Sequence, residues 1–370
     1  MRRRSGRGAR TLWVRTPTAR YPVWIGDGLL AECGPRLRSL RPGGSRIFVV
    51  SSPRVWNLWG QAVVRSLRRA GLRCDVLLMD DREASKRLAT AERLADELLR
   101  RGADRGALLA ALGGGVVGDV TGFLAACYMR GVDNVQIPTT LVAQVDSAFG
   151  GKTGVNLRGG KNLLGAFHHP RAVLSDPRVL RTLPQRDFRA GLYEVVKCAV
   201  IGDARLFRFL ERNLPAALAR QPRPLAHAVE SAVRLKAAIV AEDEREAGRR
   251  RLLNFGHTFG HAFEVAASYR IRHGEAVGWG MLAATRLAVR LGSLRSKDAE
   301  RIVRLVRALG KLPPLPRVPP ARFYAHLFAD KKKRGRELRF VLPQSLGRGA
   351  VVSGVARADV MAVLREVTAR

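Results

Sequence analysis

Acidic residues are scarce: Asp and Glu number 31 against 66 Lys and Arg, which leaves a formal net charge of +35 on 370 residues. Aromatics make up only 6%. The four cysteines, Cys33, Cys74, Cys127 and Cys198, form neither a CxxC pair nor a zinc-ribbon spacing. That excludes a disulfide scaffold and a thiolate zinc site, and predicts reduced thiols. No apolar run approaches membrane-spanning length, so no membrane partner is expected. The N-terminal MRRRSGRGAR has the charge but not the hydrophobic stretch of a secretory leader. It predicts a basic disordered tail over 1–11 on a cytoplasmic protein. Internal repeats and long low-complexity tracts are missing too.

The positive surplus taken alone would suggest a polyanion as partner. Yet the basic residues run along the whole chain, arginine outnumbers lysine several-fold, and aromatics rarely interleave with the charge. No specific nucleic-acid partner is expected, only weak non-specific binding at low salt.

What is present is a chain with 46% hydrophobic residues, long enough for two domains. Leu12–Val14, Val23–Ile25, Ile47–Ser51 and Val76–Met79 read as strands, and 55–70 and 85–101 have helical spacing. Strands and helices therefore alternate, which predicts a Rossmann-like α/β domain over 12–184 with a mostly parallel sheet. Leu180–Pro184 reads as the hinge into a mainly α-helical domain over 185–370. There, helical patterns cover 191–212, 225–246, 255–268, 274–291 and 297–309.

Site-making chemistry is densest between Gly113 and Asn162. An apolar run, ALLAAL, leads into Gly113, Gly115 and Gly118 in GxGxxG spacing, followed by a helix-compatible stretch from Val120 to Arg130. Glycines let a phosphate reach backbone N–H groups at a helix N-terminus. A tight strand-to-helix turn that binds nothing would serve the motif equally well, and the ribose-binding acid of an ordinary dinucleotide fold is not clearly present. Further on come Asp146 and two Gly-Gly-Lys triplets ending at Lys152 and Lys161, the second followed by Asn162. Two cations beside exposed backbone suit phosphate or polyol oxygens, which tips the balance towards a binding site.

The helical half holds a second cluster. Glu194 and Lys197 share a helix face, His257 and His261 are spaced for one face, and His273 opens the next helical pattern. Three of the seven histidines thus fall within seventeen residues. Two of these histidines with Glu194 would make a three-ligand site that leaves zinc an open position. Lys236, Arg250 and Asn254 lie nearby in sequence.

Taken together, GGGVVGDVTGF, YMRGV, IPTTLVAQVDSAFGGKTGVN, GKNLLGAFHHP, LRTLP, YEVVK, NFGHTFGHAFE, HGEAV and DKK resemble the 3-dehydroquinate synthase family of the sugar-phosphate cyclases over roughly 23–347. The resemblance implies a dehydroquinate synthase-like fold, with NAD and a divalent metal, zinc or cobalt, as cofactors. The implied substrate is a sugar phosphate, 3-deoxy-D-arabino-heptulosonate 7-phosphate. It is oxidised transiently, loses phosphate, is reduced again and closes by an aldol step.

By the same resemblance Glu194, His257 and His273 are metal ligands. Glu83, Lys86, Gly114, Gly115, Val116, Gly118, Asp119, Thr139, Thr140, Lys152, Lys161 and Thr182 contact NAD. Asp146, Lys152, Asn162, Lys197, Lys236, Arg250, Asn254, His261 and one of Lys331 and Lys332 contact substrate. Arg130 reaches a neighbouring subunit's substrate, which implies a homodimer. Lys152, Lys197, Lys236, Arg250, Asn254 and His261 carry the catalytic work, His261 as a proton shuttle. Three departures stand out: Arg82 where Gly is usual, Ala148 for Ser, and Tyr193 for Ala, the last expected to crowd the metal-bearing helix. The alternatives are a sister cyclase, such as an aminodehydroquinate synthase, and a metal-dependent polyol dehydrogenase of the same fold.

Overall fold

A computed structural model describes residues 9–40, 46–329 and 338–369. The chain divides into two compact units, Met1–Leu183 and Pro184–Arg370. Among the described residues, no helix is long and apolar enough to cross a membrane.

The first unit contains β1 (Arg10–Arg15), β2 (Arg20–Ile25), α1 (Cys33–Leu40), β3 (Ile47–Ser51), α2 (Pro53–Val55), α3 (Gln61–Arg69), β4 (Cys74–Leu78), α4 (Leu88–Arg100), β5 (Leu108–Gly113), α5 (Gly115–Cys127), β6 (Asp133–Pro138), β7 (Lys152–Leu157), β8 (Gly160–Phe167) and β9 (Ala172–Ser175). Seven strands form one sheet in the order β1-β2-β9-β6-β5-β3-β4. Only β1 and β2 pair antiparallel within it. β3 and β5 are buried along their whole length, as the uninterrupted apolar runs IFVVS and LLAALG require of central parallel strands. Phe48, Val50, Leu77, Leu109, Leu94 and Val117 join β3, β4 and β5 to α4 and α5 in one apolar core.

From β3 the chain goes to β4 on one side and then to β5 on the other. The crevice at the carboxyl ends of β3 and β5 is therefore the switch point of the sheet, the place where such folds bind ligands. The glycine turn after β5 lies there. Gly118 on α5 lets the helix lie close to β6, because a Cβ at that position would stand 2.7 Å from Gln136 Oε1.

Four sequence expectations need correcting, three of them in element bounds. β1 begins at Arg10, so the last two residues of the expected tail are strand; 1–8 lie outside the described residues. The helix expected over 120–130 is α5, which starts at Gly115 and ends at Cys127. After it Met129 and Arg130 take left-handed φ of 48° and 67°, a conformation that no α-helix can propagate. The helix expected over 191–212 is two helices, because Asp203 stops the first and caps the second, accepting from the N–H groups of Arg205 and Leu206 at 2.9 Å each.

The second unit is built from α6 (Gln185–Gly202), α7 (Ala204–Leu218), α8 (Pro222–Glu242), α9 (His257–Ala266), α10 (His273–Arg290), α11 (Ser296–Ala308), α12 (Pro320–Ala329) and α13 (Arg357–Thr368), with one hairpin of β10 (Phe340–Ser345) and β11 (Arg348–Val352). α6 and α10 are buried along most of their length and form its centre. Glycines set their spacing: a Cβ at Gly274 would meet Ala190 O of α6 at 2.3 Å, and one at Gly280 would meet Gly256 O, just before α9, at 1.8 Å. Tyr193 does not crowd α6 as expected. Its ring lies over Gly278 of α10, where a side chain would stand 2.8 Å from Cε1, and burial pushes its hydroxyl up to about 12.

Candidate active site

The geometry of the second unit selects among its histidines. Gly256, with φ of 77°, turns the chain into α9 so that His257 is the first helical residue, and His273 is the first residue of α10. Both imidazoles converge on Glu194 of α6, which is 1% exposed. Glu194 Oε1 stands 3.7 Å from His257 Nε2 and 3.6 Å from His273 Nε2. Three ligands each about 2.1 Å from one tetrahedral ion would stand about 3.4 Å apart.

The remaining ring nitrogens are already committed. His257 Nδ1 donates to Phe255 O at 3.1 Å, and His273 Nδ1 faces Glu264 Oε2 at 3.5 Å. Each ring therefore turns its Nε2, the nitrogen left for ligation, towards Glu194. Neither Glu194 oxygen receives a hydrogen bond of proper geometry, although the Lys197 ammonium pairs with Oε2. A buried carboxylate left open in this way fits a divalent cation.

The electrostatics agree. Burial alone would raise the Glu194 carboxyl, but Lys197, His257 and His273 hold it well below the usual range. Burial, aided by Lys197, drives His257 down to about 3, so its ring is neutral. Burial opposes a charge on His273 as well, yet Glu194 and Glu264 outweigh it and lift this ring to about 10. His261 falls in a second group, with Glu264 and His273, rather than with Glu194. It is exposed, with its ring 5.6 Å from that of His257 and 6.0 Å from that of His273.

Lys197 and Lys236 are buried, as is Arg250, whose guanidinium donates to Glu244 O. Asn254 donates to Glu246 Oε1 at 2.8 Å. The turn bearing Arg250 and Asn254 is anchored by Asp243, which accepts from the N–H groups of Ala247 at 2.9 Å, Gly248 at 2.8 Å and Arg250 at 2.9 Å. Burial raises the Asp243 carboxyl, but these N–H groups and the Arg250 charge win and lower it. A depressed carboxyl contributes stability above its unfolded value, and that contribution is lost as pH falls through the folded value. Asp243→Asn is therefore expected to lower the melting temperature at neutral pH, and the gap to the parent should close as acid titrates the carboxylate in pH-dependent thermal scans. Lys331 and Lys332 lie outside the described residues.

The first unit gathers most of the expected nucleotide residues. Gly114 caps α5, whose first turn carries Gly115, Val116 and Gly118. Thr139 N donates to Gly113 O at 2.9 Å, and Thr140 Oγ1 accepts from Ala143 N at 3.2 Å. Asp146 sits in a π-helical turn, Ala143–Ser147. Gly150 and Gly151 take φ of 96° and 73° before Lys152, which starts the β7–β8 hairpin that also bears Lys161; both lysines are exposed. Lys86 is buried and its ammonium meets Asp119 Oδ2 and Asn162 Oδ1. Burial raises the Asp119 carboxyl despite that ammonium. Arg82 needs no glycine conformation, since its φ of −71° is ordinary extended backbone, and it bonds Asp80 in solvent. Nothing in the structure explains Ala148. Thr182 ends a short 3-10 turn with its hydroxyl donating to Val179 O at 3.1 Å, and Arg130 is exposed in its left-handed turn.

Family models described as 3-dehydroquinate synthase N-terminal and C-terminal match residues 76–190 and 191–333. The chain belongs to the 3-dehydroquinate synthase family. A 3-dehydroquinate synthase from Solibacter usitatus (strain Ellin6076) is 43% identical over 96% of this chain and 99% of its own length. Among solved structures, ValA (2-epi-5-epi-valiolone synthase) from Streptomyces hygroscopicus subsp. jinggangensis 5008, with NAD+ and Zn2+ bound, is 32% identical with a TM-score of 0.85, covering 94% of this chain and 96% of that one. A 2-deoxy-scyllo-inosose synthase complexed with carbaglucose-6-phosphate, NAD+ and Co2+ is 28% identical with a TM-score of 0.87, covering 96% and 100%.

Two residues of the site escaped sequence reasoning. Glu264 was legible in NFGHTFGHAFE, because it lies one turn beyond His261 on the same helix. Asn156 carried no signal of its own.

Proposed function

We propose that this chain is a 3-dehydroquinate synthase, a carbon–oxygen lyase that converts 3-deoxy-D-arabino-heptulosonate 7-phosphate to 3-dehydroquinate and phosphate with NAD and a divalent metal, zinc or cobalt. The reading rests on the Glu194–His257–His273 set, its first two members buried and His273 partly exposed, in a chain that matches both halves of the family. When bound, the metal supplies Lewis acidity at the oxidised carbon, and NAD supplies reversible hydride acceptance.

The chain's own residues do the rest. Glu194, His257 and His273 hold the metal, and Glu264 fixes the His273 ring. The Gly114–Gly118 turn offers backbone N–H groups and the positive end of α5 to the cofactor's phosphates. Glu83, Lys86, Asp119, Thr139, Thr140, Lys161 and Thr182 surround the cofactor. Lys152, Lys236 and Arg250, with Arg130 from a second copy of a homodimer, clamp the substrate's carboxylate and phosphate. Asp146, Asn162, Lys197 and Asn254 orient its hydroxyls, and His261 relays a proton. The substrate's own phosphate acts as the base in elimination. The reading places the protein in the cytoplasm.

The test is phosphate release from this substrate with catalytic NAD+ and added zinc or cobalt, before and after chelation. Release that stops with chelator and resumes with metal, without NADH build-up, is the expected result. Silence with this substrate but turnover of its amino analogue or of a sedoheptulose phosphate would reassign the chain to a sister cyclase. Net NADH from a polyol would make it a dehydrogenase.

A further inference from the structure

We infer that Asn156 is a positioning residue that holds Glu83, Lys86 and Asn162 in the arrangement that grips the nucleotide. The inference rests on the nucleotide reading of Glu83 and Lys86. In the β7–β8 hairpin the register shifts between Val155 and Leu157, so that Asn156 on β7 faces the longer stretch of β8 between Gly160 and Leu164. Such irregularities re-aim the residues beside them, and here both the backbone and the side chain of Asn156 are turned towards the segment after β4. Asn156 N donates to Lys86 O at 2.8 Å, and the residue forms a parallel bridge with Arg87. Its Nδ2 donates to Glu83 Oε1 at 2.7 Å and to Glu83 O at 3.4 Å, while its Oδ1 accepts from Asn162 N at 2.8 Å.

This pattern uses both ends of the amide, donor towards Glu83 and acceptor towards Asn162, which neither a carboxylate nor an apolar side chain could do. The bond to Asn162 N helps to hold that residue at φ of 56°, a left-handed conformation that asparagine tolerates. Asn162 Oδ1 then receives the Lys86 ammonium, whose other partner is Asp119 on α5. Residues far apart in sequence are thereby locked to one another through a side chain that is 7% exposed and acts through its neighbours.

Asn156→Asp keeps the shape and the acceptor for Asn162 but sets a second anion against Glu83 Oε1. The expected result is faster amide hydrogen exchange over 83–87 and a Kd for NAD raised about tenfold, with kcat at saturating NAD much less affected. In Asn156→Asp/Glu83→Gln an amide can donate to the new carboxylate, so amide exchange over 83–87 without NAD is expected to return towards the parent's in the double variant. Asn156→Ser, which also loses the bond to Glu83, should shift exchange in the same direction and serves if the aspartate variant does not fold. Unchanged exchange over 83–87 in either folded variant, or failure of the Glu83→Gln rescue, would overturn the positioning role. Lys86→Met with unchanged NAD affinity would instead overturn the nucleotide reading; exchange measured without NAD tells the two failures apart.

Discussion

His257→Ala is expected to yield a folded protein that retains little divalent metal and releases phosphate at a rate at least about a hundredfold below the parent's. His257 lies at the entrance to α9, so its side chain can be cut back without disturbing the helix interior. On the proposed assignment its loss removes one of three ligands, and Glu194 stays buried beside Lys197 with its Oε1 facing a single imidazole. Metal content by elemental analysis, far-UV circular dichroism and phosphate release together make the check. Metal-dependent stabilisation should vanish as well, because an ion that no longer binds the folded state cannot raise its melting temperature. Glu264→Gln should behave more mildly, losing about 10–100-fold in metal affinity, since it faces the far nitrogen of His273 and not the one turned towards Glu194. A His257→Ala protein with full metal content would sink the ligand assignment.

The second large effect concerns stability. Gly280 lies inside α10, where helix propensity alone predicts that alanine would stabilise by about 1 kcal/mol. The tertiary contact predicts the opposite. A Cβ at Gly280 would stand 1.8 Å from Gly256 O and 2.8 Å from Gly260 N, both backbone atoms of the chain entering α9. Backbone cannot swing aside as a side-chain tip can, so the two helices must separate. Overpacking of this kind costs about 1–3 kcal/mol, and here the upper end or beyond is expected. Because α9 and α10 begin with His257 and His273, their separation should weaken metal binding too. Gly159→Ala at the tip of the β7–β8 hairpin, where a Cβ meets nothing within 4 Å, is the control and should stay within about 0.5 kcal/mol of the parent. Denaturant melts of both variants decide the matter; a stabilised Gly280→Ala would show that propensity governs this helix.

Local pattern carried much of the architecture. IFVVS and LLAALG read as buried strands because a parallel strand covered on both faces must be apolar without interruption. The GxGxxG placed the strand-to-helix turn, although it could not say whether that turn bound anything. Motif order pointed to the family, and the spacing of Glu194, His257, His261 and His273 suggested a pool of candidate metal ligands on helices.

The choice within that pool belonged to tertiary structure. By spacing alone His257 and His261 make the natural pair, since they share a face of one helix. It is the left-handed Gly256, the glycine contacts of α10 with α6 and α9, and the buried Glu194 that bring His257 and His273 together on one carboxylate, while His261 meets His273 beside Glu264 instead. The same holds in the first unit, where Lys86, Asp119, Asn156 and Asn162 meet at a break in the register of the β7–β8 ladder. Periodicity and turn chemistry act over a few residues and can be read along the chain. Which side chains meet across tens of residues depends on how closely two backbones approach, and that is decided when the elements pack.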